Sequence, residues 1–212
     1  MFVVLEGIDG CGKTTQSNRL GRWLEGEFGD ERIVRTREPG GWEGGAAVRD
    51  FVLNFEFANE WSEFFLFLMD RCEHVARVVA PSLLAGKIVL SDRYMPSTLA
   101  YQILSNPSLS PSTKDYLLQL SSRIGLPDPD VVFWLDLPPA AGAERLCSRG
   151  KQDSFDMRGE RFFERVRAGY AQLMRAAGGK SVWVRVDASR PEAEVFEEIK
   201  GSLARMLERN ES

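Results

Sequence analysis

Short apolar runs alternate along the chain with longer stretches of helical periodicity. The apolar runs lie at residues 2–5, 33–34, 88–90, 131–135 and 182–186, those at 33–34 and 182–186 being the weakest. The helical patterns between them lie at residues 15–27, 61–85, 112–124, 140–149, 160–177 and 192–208. Runs that are apolar on both faces suit parallel strands covered by helices. The alternation predicts an α/β fold with a doubly wound parallel sheet of about five strands.

The composition is that of an ordinary globular domain. The chain has 212 residues, of which 43% are hydrophobic and 27% are charged. That length is enough for one substantial core, and no repeat or low-complexity tract divides it. We therefore expect one domain over residues 1–212. Two segments rich in glycine or charge, 39–45 and 149–154, are expected to be mobile loops.

Net charge and apolar length limit the partners of the chain. A net charge of -4 gives no reason to expect attraction to nucleic acid or to an anionic membrane. The densest apolar stretch, residues 64–69, is far shorter than the roughly 20 residues of a membrane span. Residues 1–5 lack the basic start of a signal peptide. These features predict a cytoplasmic protein without nucleic-acid or membrane partners.

Cysteine and histidine are too few and too scattered to suggest a metal centre. Cys11, Cys72 and Cys147 are far apart and form no CxxC pair, and His74 is the single histidine. Three free thiols in a reducing compartment are therefore expected, rather than a disulfide or a zinc site.

A phosphate-binding pattern follows the first predicted strand. Residues 7–14 read GIDGCGKT, which fits G-x-x-x-x-G-K-[ST], and a helical pattern comes next. The glycines let successive backbone N–H groups point into one concavity, and the helix directs its positive end there. Lys13 can reach the β- and γ-phosphates, and the Thr14 hydroxyl can bind Mg²⁺. The residues assigned to nucleotide binding are Gly7, Ile8, Asp9, Gly10, Cys11, Gly12, Lys13, Thr14 and Thr15.

A second apolar strand ends in the carboxylate of Asp92. Beside a P-loop, an aspartate in this position resembles the Walker B pattern, in which the carboxylate assists the metal. We therefore expect Thr14 and Asp92 to hold Mg²⁺, with ATP as the nucleotide. The P-loop does not identify the reaction, because switches, motors and kinases all carry one.

Two arginines suggest a second anion site. Arg93 directly follows Asp92, so it should face the crevice at the carboxyl ends of the strands. Arg49 lies in a short predicted helix after the glycine-rich loop. A guanidinium can grip a terminal phosphate through two hydrogen bonds, although a solvated surface charge is the commoner state of an arginine.

Two pairs of residues four apart could line a base pocket. Phe67 and Arg71 share one helical face, where a ring could stack on a base and a guanidinium could donate to its carbonyl. Phe67 could equally belong to the core, whereas Arg71 near an apolar face needs a partner, and a ligand would serve. Ser97 and Tyr101 form the second pair, with Gln102 beside them.

The arginines favour an acceptor that already carries a phosphate. A hydroxyl acceptor needs a carboxylate to take its proton, whereas a phosphate monoester is already anionic and needs charge neutralisation. Asp9 and Glu38 remain candidate bases, so the residues alone leave both kinds of acceptor open.

Four segments together resemble the thymidylate kinase family over nearly the whole chain. They are residues 6–15 (EGIDGCGKTT), residues 36–41 (TREPGG) with Arg49 downstream, the F-x-x-x-R element at 67–71, and residues 92–102 (DRYMPSTLAYQ). The last segment is the most specific. The resemblance implies transfer of the γ-phosphate of ATP to dTMP, a P-loop fold with a lid at about residues 149–156, and a homodimer.

The resemblance also implies roles around the phosphates. Asp9 would help to organise the metal site near the acceptor, and Arg49 and Arg93 would hold the dTMP phosphate. The implied catalytic set is Asp9, Lys13, Arg93 and Arg149.

Around the base, Phe67 would stack on thymine and Arg71 would bond a thymine carbonyl. Tyr101 would pack against the deoxyribose. The remaining implied substrate contacts are Glu38, Ser97 and Gln102.

The sequence departs from the family pattern at two places of interest. Trp42 stands where the family commonly has threonine, so the loop that leads to Arg49 could be reshaped. Ser154 replaces an arginine of the lid, which leaves Arg149, with Lys151 behind it, as the candidate for stabilising transition-state charge.

Two other functions stay open. A kinase for another nucleoside or nucleoside monophosphate would differ in its preferred acceptor. A nucleotide-gated switch would bind ATP but transfer no phosphate to any nucleotide.

Overall fold

The computed structural model describes residues 1–109, 112–147, 158–178 and 181–211. Within these residues, five strands form one parallel sheet in the order β2-β3-β1-β4-β5. They are β1 (Phe2–Glu6), β2 (Ile33–Arg37), β3 (Ile88–Asp92), β4 (Val131–Asp136) and β5 (Val182–Asp187). From β1 the chain crosses to the edge strand β2, returns to β3 beside β1, and then continues to β4 and β5 on the other side of β1. The predicted doubly wound α/β sheet is therefore confirmed.

Helices occupy the connections, as the periodicity predicts. They are α1 (Lys13–Phe28), α2 (Gly45–Asn54), α3 (Glu60–His74), α4 (Ala80–Leu84), α5 (Met95–Thr98), α6 (Ser112–Arg123), α7 (Pro139–Cys147), α8 (Glu160–Ala176) and α9 (Glu192–Glu211). A π-helical turn at Val75–Val79 joins α3 to α4, and another at Leu99–Leu104 extends α5. A 3₁₀ turn, Asp30–Arg32, precedes β2.

The structure extends one predicted strand and adds one helix. The apolar pair at 33–34 is the start of β2, which continues through Arg35 to Arg37 as an edge strand paired only with β3 among the described strands. Residues 95–104, which the periodicity leaves unassigned, are helical. The predicted lid at 149–156 and the end of the predicted helix at 140–149 lie outside the described residues.

The core is built on the three central strands. Every residue of β1 and β4 is buried, whereas only Val186 is buried in the edge strand β5. Helices α1 and α9 pack against this sheet and against each other. Helix α8 packs against α7 and against the π-helical turn at Leu99–Leu104. No helix of the described residues is long and apolar enough to cross a membrane. All three cysteines are free thiols.

An ionic cluster fixes the carboxyl end of β4. Asp136, 3% exposed, accepts hydrogen bonds from Arg167 of α8 at 2.6 and 3.1 Å and from Arg185 of β5 at 2.5 and 2.8 Å. Burial alone would raise the pKa of Asp136, but the two guanidinium groups together lower it below its usual value. The cluster therefore ties a central strand to its edge neighbour and to α8.

Replacing Asp136 should make the fold less stable in a pH-dependent way. The carboxylate's folded-state pKa is lowered, so its stabilisation is present above the usual pKa of 3.8 and is lost as the pH falls through the folded value. We expect Asp136→Asn to lower the free energy of unfolding by about 1–3 kcal/mol near neutral pH. The difference from the parent protein should shrink below about pH 4.

Chemical denaturation as a function of pH measures this effect. Asp115→Asn, at an exposed aspartate of α6, is the matched control and should change little. A loss of stability at Asp136 that did not depend on pH would contradict the ionic account.

Candidate active site

The segment between β1 and α1 folds as a phosphate-binding loop. Gly7, Gly10 and Gly12 have positive φ angles of 145°, 80° and 95°. A Cβ atom at Gly7 would lie 2.6 Å from the backbone oxygen of Leu135, and one at Gly10 would lie 2.5 Å from that of Gly142. Glycine is therefore required on both steric and conformational grounds, and the predicted strand, loop and helix are all present.

Lys13, the first residue of α1, turns back into this loop. Its Nζ donates to the carbonyl oxygens of Gly7 and Ile8 at 3.0 and 2.9 Å and lies 3.9 Å from the Asp9 carboxylate. The Lys13 side chain is 7% exposed. The ammonium therefore lies where an anion that enters the loop would meet it.

The two predicted metal ligands lie side by side. The Thr14 hydroxyl donates to the Asp92 carboxylate at 2.7 Å, which joins the start of α1 to the end of β3. Hydroxyl and carboxylate oxygens are ligands that suit Mg²⁺ when phosphate oxygens and water complete its octahedron. The donor set at this position therefore fits the metal that the P-loop implies.

The Arg93 side chain donates four hydrogen bonds within the site. One of its terminal nitrogens donates to the Gly7 carbonyl at 3.1 Å and to Ser97 Oγ at 2.9 Å. The other donates to Asp9 Oδ1 at 2.5 Å and to Tyr101 Oη at 3.2 Å. Its backbone φ of 75° lies in the left-handed region that non-glycine residues rarely adopt. Such strain persists only where the surroundings fix the residue, and these contacts do so.

Asp9 is held as a carboxylate by its neighbours. Burial alone would raise its pKa, but the charges of Arg93 and Lys13 and a hydrogen bond from Tyr101 at 2.9 Å bring it below the usual value. A carboxylate with a lowered pKa is a weak proton acceptor. Asp9 is therefore better suited to fixing cations than to acting as a general base.

Glu38 and Arg71 form a buried ion pair. Arg71 Nη2 lies 2.6 Å from Glu38 Oε2, and His74 Nδ1 lies 2.9 Å from the other carboxylate oxygen. Arg71 also donates to Thr98 Oγ1 at 3.0 Å, and its guanidinium lies over the Tyr94 ring. The partner that the sequence predicts for Arg71 is present within the protein, because Glu38 supplies the counter-charge from another element. Glu38 is committed to these contacts as well, so it is also a poor general base.

One cavity of about 370 Å³ brings most of these groups together. The predicted site residues that line it are Asp9, Gly10, Gly12, Lys13, Thr14, Glu38, Arg49, Phe67, Arg71, Asp92, Arg93, Ser97, Tyr101 and Gln102. The cavity is thus lined by the P-loop lysine, by four arginines (Arg37, Arg49, Arg71 and Arg93) and by the aromatic rings of Phe67 and Tyr101. Gly7, Ile8, Cys11 and Thr15 lie in the P-loop and α1 without lining it. Arg149 lies outside the described residues.

Sequence reasoning missed several residues of this cavity. Arg37, Pro39, Leu53, Thr98 and Leu146 also line it. Arg37 could have been found, because it is the last residue of a strand and ligands bind at the carboxyl ends of the strands in such sheets. Thr98 could not, because its relevance depends on a hydrogen bond with Arg71 across two elements.

Glu6 is a further residue that the pattern does not single out. This fully buried carboxylate accepts hydrogen bonds from the backbone N–H groups of Tyr94 and Ser97 at 2.9 and 3.2 Å. It also accepts from the hydroxyls of Ser97 and Tyr170 at 2.6 and 2.8 Å. Burial raises the pKa of Glu6 despite these donors and the nearby Arg93 charge. These contacts fix the backbone of residues 94–97, which directly follow Arg93.

Comparison with known proteins assigns the chain to a family. A sequence model described as thymidylate kinase matches residues 5–199. The chain belongs to the thymidylate kinase family.

Relatives and a solved structure agree with this assignment. The thymidylate kinase of a Synechococcus species is 41% identical over 208 residues, covering 95% of this chain and 94% of that protein. That of Thermosynechococcus vestitus is 38% identical over 219 residues, covering 99% and 89%. The crystal structure of thymidylate kinase from Ehrlichia chaffeensis matches with a TM-score of 0.75 and 30% identity, covering 96% of this chain and 98% of that one.

Within this family, the departure at Trp42 has a defined structural role in the present chain. Its indole Nε1 donates to Asp70 Oδ1 at 2.7 Å, and the Gly40 N–H donates to both oxygens of the same carboxylate at 3.0 and 3.1 Å. A Cβ atom at Gly45 would lie 2.9 Å from the indole nitrogen, so this glycine leaves room for the ring. Trp42 thereby ties the loop before Arg49 to α3, one residue from Arg71.

Removing the indole donor should loosen this loop. Trp42→Phe keeps an aromatic ring but removes one hydrogen-bond donor of Asp70. Burial raises the pKa of the Asp70 carboxyl and the bond from Trp42 opposes that rise, so its loss disfavours the carboxylate further. We expect a loss of about 1 kcal/mol in the free energy of unfolding and faster amide exchange in residues 38–45. Chemical denaturation and hydrogen-exchange mass spectrometry measure the two effects.

Trp23→Phe is the matched control, because it removes an indole bond to Glu27 that is exposed on α1. Unchanged amide protection in residues 38–45 of Trp42→Phe would show that the indole does not hold the loop.

Proposed function

We propose that the chain transfers the γ-phosphate of ATP to dTMP, giving ADP and dTDP for cytoplasmic dTTP synthesis. The observation that carries the proposal is the single cavity, which has Lys13 on one wall and Arg49, Arg71 and Arg93 on the others. A cationic donor site and a cationic acceptor site that share one space can align two anions for direct transfer. The relatives named thymidylate kinase support dTMP as the acceptor.

On the donor side, the P-loop would hold the phosphates of ATP. Its backbone N–H groups and the Lys13 ammonium would bind the β- and γ-phosphate oxygens. Thr14 and Asp92 would hold Mg²⁺, which would neutralise charge on the phosphates, and Asp9 would help to organise this region. In the absence of a P-loop arginine, Arg149 of the lid is proposed to stabilise charge on the transferred group.

On the acceptor side, arginines would neutralise the monophosphate. Arg49 and Arg93 both line the cavity, and Arg93 already bridges the P-loop carbonyl of Gly7 and the Asp9 carboxylate. A phosphate acceptor needs charge compensation rather than a proton acceptor. The commitment of Asp9 and Glu38 to cations supports such an acceptor over a hydroxyl.

The base and sugar would lie against the remaining cavity wall. Phe67 would stack on thymine, and Arg71 would donate to a carbonyl of the base. Arg71 is held in place by Glu38 and Thr98, so little side-chain entropy would be lost on binding. Ser97, Tyr101 and Gln102 would complete the contacts to the base and the deoxyribose.

The protein is also proposed to be a homodimer that associates through α2 and α3. Phe51 stacks on Phe55, and Phe57 meets both rings edge to face, with centroids 4.7–5.8 Å apart in the three pairs. Phe65 of α3, 57% exposed, packs on Trp61. We call these five side chains the aromatic surface. Three of these rings, those of Phe51, Phe55 and Phe65, are exposed, and exposed apolar rings close to one another are typical of an interface.

A coupled assay of ADP release across nucleosides and nucleoside monophosphates tests the proposed function. We expect dTMP to be the preferred acceptor. Arg49→Ala should lower kcat/KM for dTMP by about tenfold or more, because a charged hydrogen bond to phosphate is lost, with little change in the KM for ATP. Arg22→Ala, at an exposed arginine of α1, is the matched control.

Three results would count against the proposal. Thymidine used better than dTMP would indicate a nucleoside kinase, and ATP binding without any transfer would indicate a switch. Equal losses toward ATP and dTMP in Arg49→Ala would remove Arg49 from the acceptor site.

A charge in the aromatic surface should weaken the dimer. Phe65→Asp should raise the dimer dissociation constant by about tenfold or more, because a carboxylate would be buried at the interface. Sedimentation velocity over a range of concentrations measures this constant. Leu84→Asp, at a residue that is 89% exposed outside the surface, is the control. Equal constants for both variants would place the interface elsewhere.

A further inference from the structure

We infer that Glu63 is a positioning residue for base selection. Its carboxylate fixes the side-chain amide of Gln102 so that the amide oxygen is presented to the base pocket. This inference rests on the proposed function, in which Gln102 contacts the base of the acceptor nucleotide.

The geometry places Glu63 directly behind Gln102. Gln102 lines the cavity and its Nε2 donates to Glu63 Oε1 at 3.0 Å. Glu63, in the first turn of α3, is 6% exposed, and Gln102 is 8% exposed. The second carboxylate oxygen of Glu63 pairs with the guanidinium of Arg158. Both oxygens of Glu63 therefore have a hydrogen-bond donor.

The chemistry of the two groups leaves one orientation for the amide. A carboxylate only accepts hydrogen bonds, whereas a glutamine amide has a donor end and an acceptor end. With the acceptor end turned to Glu63, two oxygens would face each other in a buried site, which is costly. The NH₂ group of Gln102 must therefore face Glu63, and its carbonyl oxygen is the group left for the pocket.

An acceptor in this place distinguishes among pyrimidines. Thymine and uracil carry a hydrogen on N3 and can donate it to the amide oxygen. Cytosine has a lone pair on N3, so the two acceptors would repel each other. Glu63 therefore contributes to the rejection of cytosine nucleotides without touching the base.

Glu63→Gln should reverse the orientation. Arg158 can only donate, so it would bind the amide oxygen of the new glutamine, whose NH₂ group would then face Gln102. Gln102 would turn its oxygen toward that NH₂ group and present its own NH₂ group to the pocket. A donor there favours the N3 of cytosine over that of thymine.

The test measures kcat/KM for dTMP, dUMP and dCMP in the parent protein and in variants. In Glu63→Gln, we expect the dCMP to dTMP ratio to rise by about tenfold or more, since one charged hydrogen bond controls the orientation. The dUMP to dTMP ratio should not change, because both bases carry the N3 hydrogen. Calorimetric binding of the same nucleotides without ATP gives the ratios for any variant with low turnover.

Two further variants separate orientation from ordinary structural damage. Arg158→Ala breaks the ion pair but keeps Glu63 as an acceptor, so the dCMP to dTMP ratio should stay at the parent value. Glu73→Gln makes the same chemical change at a glutamate of α3 whose side chain is 41% exposed, and the ratio should again be that of the parent.

The results that would overturn the inference differ from those that would overturn the function. An unchanged dCMP to dTMP ratio in Glu63→Gln would show that Glu63 does not orient the Gln102 amide. A rise of that ratio in Arg158→Ala equal to the rise in Glu63→Gln would show the same. A parent protein that does not prefer dTMP would instead defeat the proposed function, whatever the variants do.

Discussion

The adjacency of β1 and β3 is the constraint on which the site depends. The two strands run parallel in a register that places Leu5 beside Asp92. The carboxyl ends of β1 and β3 therefore lie next to each other at the same edge of the sheet. The backbone N–H of Arg93 donates to the Leu5 carbonyl at 3.0 Å, and the Thr14 hydroxyl reaches Asp92. Because of this register, the P-loop and the segment that begins with Arg93 form two walls of one cavity. A one-residue shift would invert the side chains of one strand and separate the two walls.

Three cations of the site have partners within the protein. Arg93 pairs with Asp9, Arg71 pairs with Glu38, and Lys13 is held by loop carbonyls. Each partner reduces the cost of keeping a cation away from water. An incoming phosphate would therefore share or exchange an existing partner rather than meet a bare charge. The partners weaken the Coulomb attraction between the cations and an incoming phosphate. They also hold the guanidinium groups in a fixed orientation before the phosphate binds.

The sequence was sufficient for much of the fold, because the main signals are local. Buried parallel strands are apolar at every position, and the P-loop is a contiguous pattern between a strand and a helix. The polar half of β2 was missed because Arg35, Thr36 and Arg37 look like a loop, although an edge strand tolerates them. Residues 95–104 were missed because a short helix that ends in a π-helical turn does not keep a regular period.

The parts of the site that escaped prediction depend on contacts between distant segments. Glu38 and Arg71 are 33 residues apart, and nothing in either segment indicates that they pair. Glu6 and Glu63 are carboxylates in apolar surroundings, where sequence gives no sign of their partners. Tyr170, on α8, reaches Glu6 across 164 residues. Such pairings follow from the completed fold rather than from any local pattern.

The position of His74 has a practical consequence. It is the single histidine of the chain, it is fully buried, and it joins Thr36 of β2 to Glu38 at distances of 2.6 and 2.9 Å. A nuclear magnetic resonance spectrum of the imidazole nitrogens would thus contain the signals of one ring, with no need for site-specific labelling. Those signals would report directly on the segment that supports Arg71, and they would follow the state of the pocket during a titration without any change to the protein.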